Sequence, residues 1–261
     1  MATICRTHKL LFMMVPGTAC SAIGKVLQEQ FGGEWIPKED IYENNSLKLS
    51  KKHNSISNLV KFNLISRIEL PLYLKFGTVR NPFDAFTTEY QRAISDEWIN
   101  QQIIVRTQLL ADENKETGII FLRQLEKQLR NQQQKTINLG FENWLDNYIY
   151  KYKKKENANF LKSFKTSLKK KFFYSSDYLP PIYSSLLYGV DKIIRFEYLE
   201  SDFNKLLKEA GIINYSEWVS IPLNNPTKGK KPYQEYYTKR ARNLVEKHFA
   251  KELSIFDYQF E

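Results

Sequence analysis

The apolar run Leu10 to Val15 stops abruptly at Pro16-Gly17, and from Ser21 to Gln30 the apolar residues Ile23, Val26 and Leu27 return at helical spacing. A short run without polar alternation is a strand buried on both faces, and the Pro-Gly break followed by one-sided periodicity is a loop entering a helix. The same order recurs where Tyr73 to Val79 passes through Arg80-Asn81-Pro82 into a helical Phe83 to Arg92, Pro82 suiting the first helical turn. A third copy runs from a short strand, Lys192 to Phe196, into a helix that Ser201 is expected to cap and that continues through Leu207 to Gly211. Strands alternating with helices build a parallel α/β sheet, whose ligands lie at the carboxyl ends of the strands. Both punctuated loops are therefore expected on one edge.

At 261 residues the chain is near the upper size of one domain, and 1–261 are expected to form a single one. A long polar, helical stretch at about 97–175, with a Gln-rich part at 124–134, reads as an inserted helical subdomain. Its segment Lys151 to Lys171 holds nine lysines and one acid, Glu156, among Tyr152, Phe160, Leu161, Phe164 and Leu168. Such a run is most simply a solvated helix face whose lysine stems cover apolar neighbours; a surface for an anionic polysaccharide, a membrane or nucleic acid is the alternative. Tyr148, Tyr152, Tyr174 and Tyr178 would suit a flat acceptor, but aromatics at helical spacing read first as core. A loop from Pro226 to Tyr233 and an amphipathic helix from about Thr238 to Leu253 close the chain.

The 39 Lys and Arg against 29 Asp and Glu, a formal charge of +10, ask for an anionic partner without choosing among nucleotide, nucleic acid, membrane surface and acidic substrate. Cys5 and Cys20 form no metal-ligand spacing with each other or with a His, so the expectation is a reducing cytoplasmic interior, no disulfide framework and no metal. Arg6, His8 and Lys9 precede the run Leu10 to Val15, but that run is too short for a leader and ends in Pro-Gly. No stretch approaches the length of a transmembrane segment.

A loop between a strand and a helix start presents unpaired backbone N–H groups and the positive end of the helix dipole to an anion. Gly17, Ala19 and Cys20 are small enough to let a phosphate approach, and Thr18 and Ser21 add hydroxyls. A nucleotide-kinase P-loop needs four residues between its first Gly and a Gly-Lys-Ser/Thr; here six residues separate Gly17 from Gly24-Lys25, and Val26 stands where the hydroxyl is required.

The loop instead resembles the 5'-phosphosulfate loop of sulfotransferases that use 3'-phosphoadenosine 5'-phosphosulfate (PAPS), in particular the bacterial and Golgi-type branch with Pro-Lys-Thr-Gly-x-Ser/Thr. It reads Pro16-Gly17-Thr18-Ala19-Cys20-Ser21. That family's second signature, a strand running into Arg-x-Pro with a hydroxyl residue eight positions after the Arg, is matched by Arg80-Asn81-Pro82 and Thr88. Arg195-Phe196-Glu197-Tyr198-Leu199, Asp202-Phe203 and the tail from Tyr237 to Tyr258 are similar to later parts of the same branch. The resemblance implies an α/β, P-loop-like three-layer fold with a central parallel sheet and a helical insertion. It also implies that Pro16 to Ser21 hold the 5'-phosphosulfate and that Arg80 with Thr88 hold the 3'-phosphate. Lys228 and Lys230 are similar in character to a Lys/Gly loop that covers the nucleotide in cytosolic members, at a different spacing.

Sulfuryl transfer needs the two reactants positioned, the acceptor deprotonated and the leaving phosphate neutralised. His53 is the candidate base, since related enzymes place a His between the two phosphate signatures. His8 and His248 read as structural or solvated. The family's loop Lys is replaced by Gly17, which leaves Lys25 and Lys52 as the cations to assist the leaving group. The expected function is transfer from PAPS to a hydroxyl or amino group of a small-molecule or saccharide acceptor, as in secondary-metabolite tailoring. A catalytically weak relative that binds PAPS or its product 3'-phosphoadenosine 5'-phosphate (PAP), and a basic nucleic-acid-binding protein, are the other readings; only charge and the Lys-rich run favour the last.

Overall fold

The computed structural model describes residues 2–44, 46–110, 115–162, 183, 186–222 and 227–261. In chain order the elements begin β1 (Ala2–Cys5), β2 (Leu10–Met13), α1 (Cys20–Phe31), β3 (Glu34–Ile36), β4 (Ile41–Glu43), β5 (Ser46–Leu49) and α2 (Ile56–Lys61). They continue with β6 (Leu74–Val79), α3 (Pro82–Ile94), α4 (Asp96–Leu110) and α5 (Lys115–Lys162). The chain closes with β7 (Lys192–Arg195), α6 (Leu199–Glu209), α7 (Lys239–His248) and α8 (Ala250–Phe256). Two compact units result, one from 1–82, 174–226 and 251–259, the other from 83–173, 227–250 and 260–261. Among the described residues no helix is long and apolar enough to cross a membrane.

The first unit is built on a sheet of order β3-β1-β2-β6-β7, in which β2, β6 and β7 run parallel and β1 pairs antiparallel with both β2 and β3. The sheet is thus mostly parallel rather than wholly so. Four residues separate β1 from β2, few enough for a hairpin and too few for a crossover, which forces the reversed direction. β4 and β5 form a separate antiparallel pair. All four residues of β2 are buried because both faces are covered. Leu10, Phe12 and Met14 join a cluster with Ile23 and Leu27 of α1 and Phe203 and Leu207 of α6. Leu11, Met13 and Val15 join another with Ile56 and Leu59 of α2 and Phe256 of α8. The alternation follows from the two-residue period of a strand and gives helix, sheet and helix layers.

The second unit is helical. α5 is interrupted at Gly140, whose φ of 69° and ψ of 171° leave the helical region. Its stem is tied to α4 through Arg130, which reaches Asp96 at 2.7 Å and Asn100 at 2.6 Å. The core of this unit is aromatic: Phe86 meets Phe249 at 5.2 Å, Tyr90 meets Phe141 at 5.3 Å, and Phe141 meets Tyr237 at 4.9 Å. Tyr148 belongs to it, its ring tilted against Trp144 at 4.9 Å. The expected insertion is helical over α4 and α5, with 163–175 outside the described residues. Lys151 to Lys162 lie on the end of α5; the rest of the Lys-rich run, with Tyr174 and Tyr178, falls outside.

Two helix boundaries differ from expectation. Ser201 does not cap α6, which starts earlier because a 3₁₀ turn at Phe196–Tyr198 leads straight out of β7; Ser201 lies in the first turn and its hydroxyl donates to Tyr198 O at 2.9 Å. The closing helix is two. Thr238 caps α7, its hydroxyl accepting from Ala241 N at 3.1 Å, and Phe249 leaves the helical conformation while its buried ring packs on Phe86.

Candidate active site

The first phosphate-loop candidate leaves β2 at the sheet's carboxyl edge. Pro16 and Gly17 are half-buried, and Gly17 has a φ of 76°, a region open to glycine without the Cβ penalty that other residues meet. Ala19 adopts the same left-handed region, φ 57° and ψ 22°, as the residue before α1, and its carbonyl accepts from Ala22 N at 3.0 Å and Ile23 N at 3.3 Å. Among the described residues no side chain caps the helix, and its first turn carries no acid. A short cap would use donors an anion needs, and an acid there would repel it. The start of α1 therefore fits a phosphate both in charge and in hydrogen bonding.

Each loop side chain has a distinct task. Thr18 is fully buried; its hydroxyl donates to Val15 O at 2.8 Å and is paired with the hydroxyl of Thr78 on β6. A hydroxyl has one proton, so Thr78 is the donor in that pair, and what Thr18 offers an anion is its backbone N–H. Cys20 opens α1, where burial pushes its thiol up to about 11; it stays neutral and adds no negative charge to the helix start. Ser21 is exposed one position later.

Arg80 follows the last residue of β6, the neighbouring parallel strand, and is 7% exposed. Its Nη1 donates to Gly17 O at 3.1 Å, and its guanidinium lies 4.2 Å from the centre of the Phe196 ring. The two phosphate candidates are thus in direct contact, loop to arginine, across adjacent strands. His53 reaches the same edge: its Nδ1 stands 3.0 Å from Met14 O, two residues before Pro16. A carbonyl only accepts, so Nδ1 carries the proton and Nε2 is the basic nitrogen. Burial lowers the His53 pKa to about 4 against the opposing bond to Met14, with Lys52 pressing it further down. The ring is neutral at physiological pH.

The lysines proposed to replace the missing loop cation sit differently. Lys25 is exposed on α1 and faces Glu29 at 3.6 Å, one turn on. Lys52 is exposed, its backbone N–H bonded to Ser50 Oγ at 3.2 Å. In the helical unit, Thr88 is buried on α3 with its hydroxyl donating to Asp84 O at 3.0 Å, a helical back-bond. Lys230 is paired with Asp84 in the first turn of α3, and Lys228 with Glu97 at 2.9 Å.

The family model described as "Sulfotransferase family" matches residues 1–259. This chain belongs to the sulfotransferase family. No curated protein and no solved structure matches it significantly. Among the described residues, Thr78, Phe196, Glu197 and Tyr258 stand around the loop and Arg80 with no role assigned from sequence. Glu197 accepts from Asn81 N at 2.7 Å and from the Tyr258 hydroxyl at 2.9 Å, directly beside Arg80. Phe196 and Glu197 lie in a segment whose family likeness is visible in sequence, but nothing local to that segment signals that it serves Arg80.

Proposed function

We propose that this sulfotransferase uses PAPS as donor and transfers its sulfuryl group to a hydroxyl or amino group of a small-molecule or saccharide acceptor. The observation that carries the reading is the bond from Arg80 Nη1 to Gly17 O, which joins an acid-free, uncapped helix start to a buried arginine on the next parallel strand. A nucleotide with phosphate groups at both ends needs two such cationic or N–H-rich points. Bound PAPS supplies an activated sulfuryl group on its 5'-phosphate. Backbone N–H groups of Gly17 to Ser21 and the Ser21 hydroxyl hold that end, and Arg80 holds the 3'-phosphate, with Thr88 assigned to it by the sequence pattern alone. His53 Nε2 takes the proton the acceptor gives up, and Met14 O fixes the tautomer that leaves Nε2 ready for it. The start of α1 supplies the field that steadies the departing phosphate, with Lys25 and Lys52 as the nearby cations in sequence. Cys5 and Cys20, both free and buried, suit a reducing cytoplasm.

A second reading, a binding protein with little turnover, is favoured by one observation: Gly17 leaves the loop without a lysine, and Lys25 is turned toward Glu29. Incubation with ³⁵S-labelled PAPS and a panel of phenols, alcohols, amines and oligosaccharides separates the two. The proposal expects label on an acceptor and stoichiometric PAP; bound nucleotide with no label transferred across the panel supports the second reading.

A further inference from the structure

Arg80 is held from outside the phosphate loop as well as from within it. The strand end Val79 pairs with Arg195 in parallel register, which brings the 3₁₀ turn Phe196–Tyr198 alongside Arg80-Asn81. The Phe196 ring lies under the Arg80 guanidinium at 4.2 Å. Glu197 uses both carboxylate oxygens, Oε1 accepting from Asn81 N at 2.7 Å and Oε2 from the Tyr258 hydroxyl at 2.9 Å. Tyr258 is itself anchored: it is 9% exposed, its N–H donates to Leu253 O at 2.9 Å, and its ring faces the Arg195 guanidinium at 5.5 Å. Arg195 in turn donates to Phe256 O at 3.2 Å, so the tail is fastened just ahead of the contact.

We infer that Phe196, Glu197 and Tyr258 are positioning residues for the 3'-phosphate, acting through Asn81 and Arg80. The inference rests on the PAPS reading above. An arginine loses considerable side-chain freedom when it clamps a phosphate, and affinity rises when that freedom has been given up beforehand. The ring fixes the plane of the guanidinium, and the carboxylate fixes the backbone from which Arg80 projects. Burial and the neighbouring Glu197 charge hold the Tyr258 phenol well above its ordinary range, so it remains a donor at every working pH.

Glu197 is exposed, and its role is separable from folding: the N–H of Arg195 is satisfied by Asp202 at 3.0 Å and the start of α6 carries Glu200 and Asp202. A carboxylate beside a phosphate site repels the ligand, so its retention in this place is explained by geometry rather than by charge. That separates the variants. Glu197→Ala removes both bonds, whereas Glu197→Gln keeps an acceptor for Asn81 N and a group for Tyr258 while discarding the negative charge.

The test is calorimetric titration of the full chain with PAP and with AMP, which lacks the 3'-phosphate, alongside thermal melting. Glu197→Ala is expected to bind PAP about tenfold more weakly, as for loss of a charge-assisted hydrogen bond, with its weak AMP binding unchanged and its melting temperature only modestly lowered. Tyr258→Phe should lose about threefold by the same measure, and Glu197→Gln should bind PAP at or above the wild-type level. With labelled PAPS, Glu197→Ala should raise KM and leave kcat in place. Wild-type PAP affinity in both Glu197→Ala and Tyr258→Phe, while Arg80→Ala loses it, overturns the inference and leaves the PAPS reading standing. Equal losses for PAP and AMP overturn it too, since they mark a general disturbance. A wild-type chain that does not bind PAP removes the PAPS reading itself.

Discussion

Arg80→Ala should weaken PAP binding by about a hundredfold, the scale of two charge-assisted hydrogen bonds to a phosphate. The loss has two sources. One is the guanidinium proposed to meet the 3'-phosphate; the other is the bond from Nη1 to Gly17 O, which joins the arginine to the loop proposed to hold the 5'-phosphosulfate. Arg80→Lys distinguishes them, because an ammonium keeps the charge but neither the planar fork nor the stacking on Phe196. It should recover only a small part of the affinity. AMP binding should fall far less than PAP binding in both variants, and retention of wild-type PAP affinity in Arg80→Ala would remove the assignment.

His53→Ala is expected to lower kcat by about a hundredfold to ten-thousandfold, the usual worth of a positioned general base, while PAP affinity stays within about threefold of wild type. The pH dependence follows from the lowered pKa. A base acts in its unprotonated form, and His53 in the free protein keeps that form down to about pH 4. The acid limb of kcat/KM should therefore fall near pH 4 rather than near 6.5, the ordinary value from which burial moves it. Once an anionic nucleotide lies on the neighbouring loop, its charge favours the protonated ring, so the acid limb of kcat should lie at higher pH than that of kcat/KM. The same shift bears on stability. Below pH 6.5 the unfolded chain takes up a proton that the folded ring refuses, so His53 destabilises the fold progressively from about 6.5 down to about 4. An acid limb of kcat/KM near 6.5 that persists in His53→Ala would show that another group is the base.

The two phosphate candidates were readable in the sequence because each is marked by local punctuation: a buried strand, a Gly or Pro break and a helix of clear periodicity. β1 and β3 were not, since these short strands are each followed by another strand rather than by a break and a periodic helix. The start of α6 was misread at Ser201 because a hydroxyl before an apolar run looks like a cap, while the 3₁₀ turn that begins the helix earlier has no such marker. The split of the closing helix is likewise a tertiary matter, set where the Phe249 ring packs on Phe86.

For the site the division is sharper. Arg80 and the loop announce themselves, but what holds them does so from far along the chain: Met14 and His53 are 39 positions apart, Asn81 and Glu197 are 116, and Glu197 and Tyr258 are 61. Thr18 shows the converse. Its hydroxyl looks in sequence like a phosphate ligand, yet in the fold it is used on Val15 and Thr78, sixty positions away, to hold the loop against β6. Residue type and spacing mark the candidate groups; the contacts that hold those groups in place depend on strand order.

The loop at the end of β2 and the arginine at the end of β6 are proposed to recognise together a nucleotide phosphorylated at both ends. Calorimetric titration of the wild-type chain with PAP and with AMP under the same conditions tests it most directly. PAP should bind at least a hundredfold more tightly than AMP, as expected for one phosphate held by a buried arginine. Equal affinity for the two nucleotides, or no binding of either, would contradict the account.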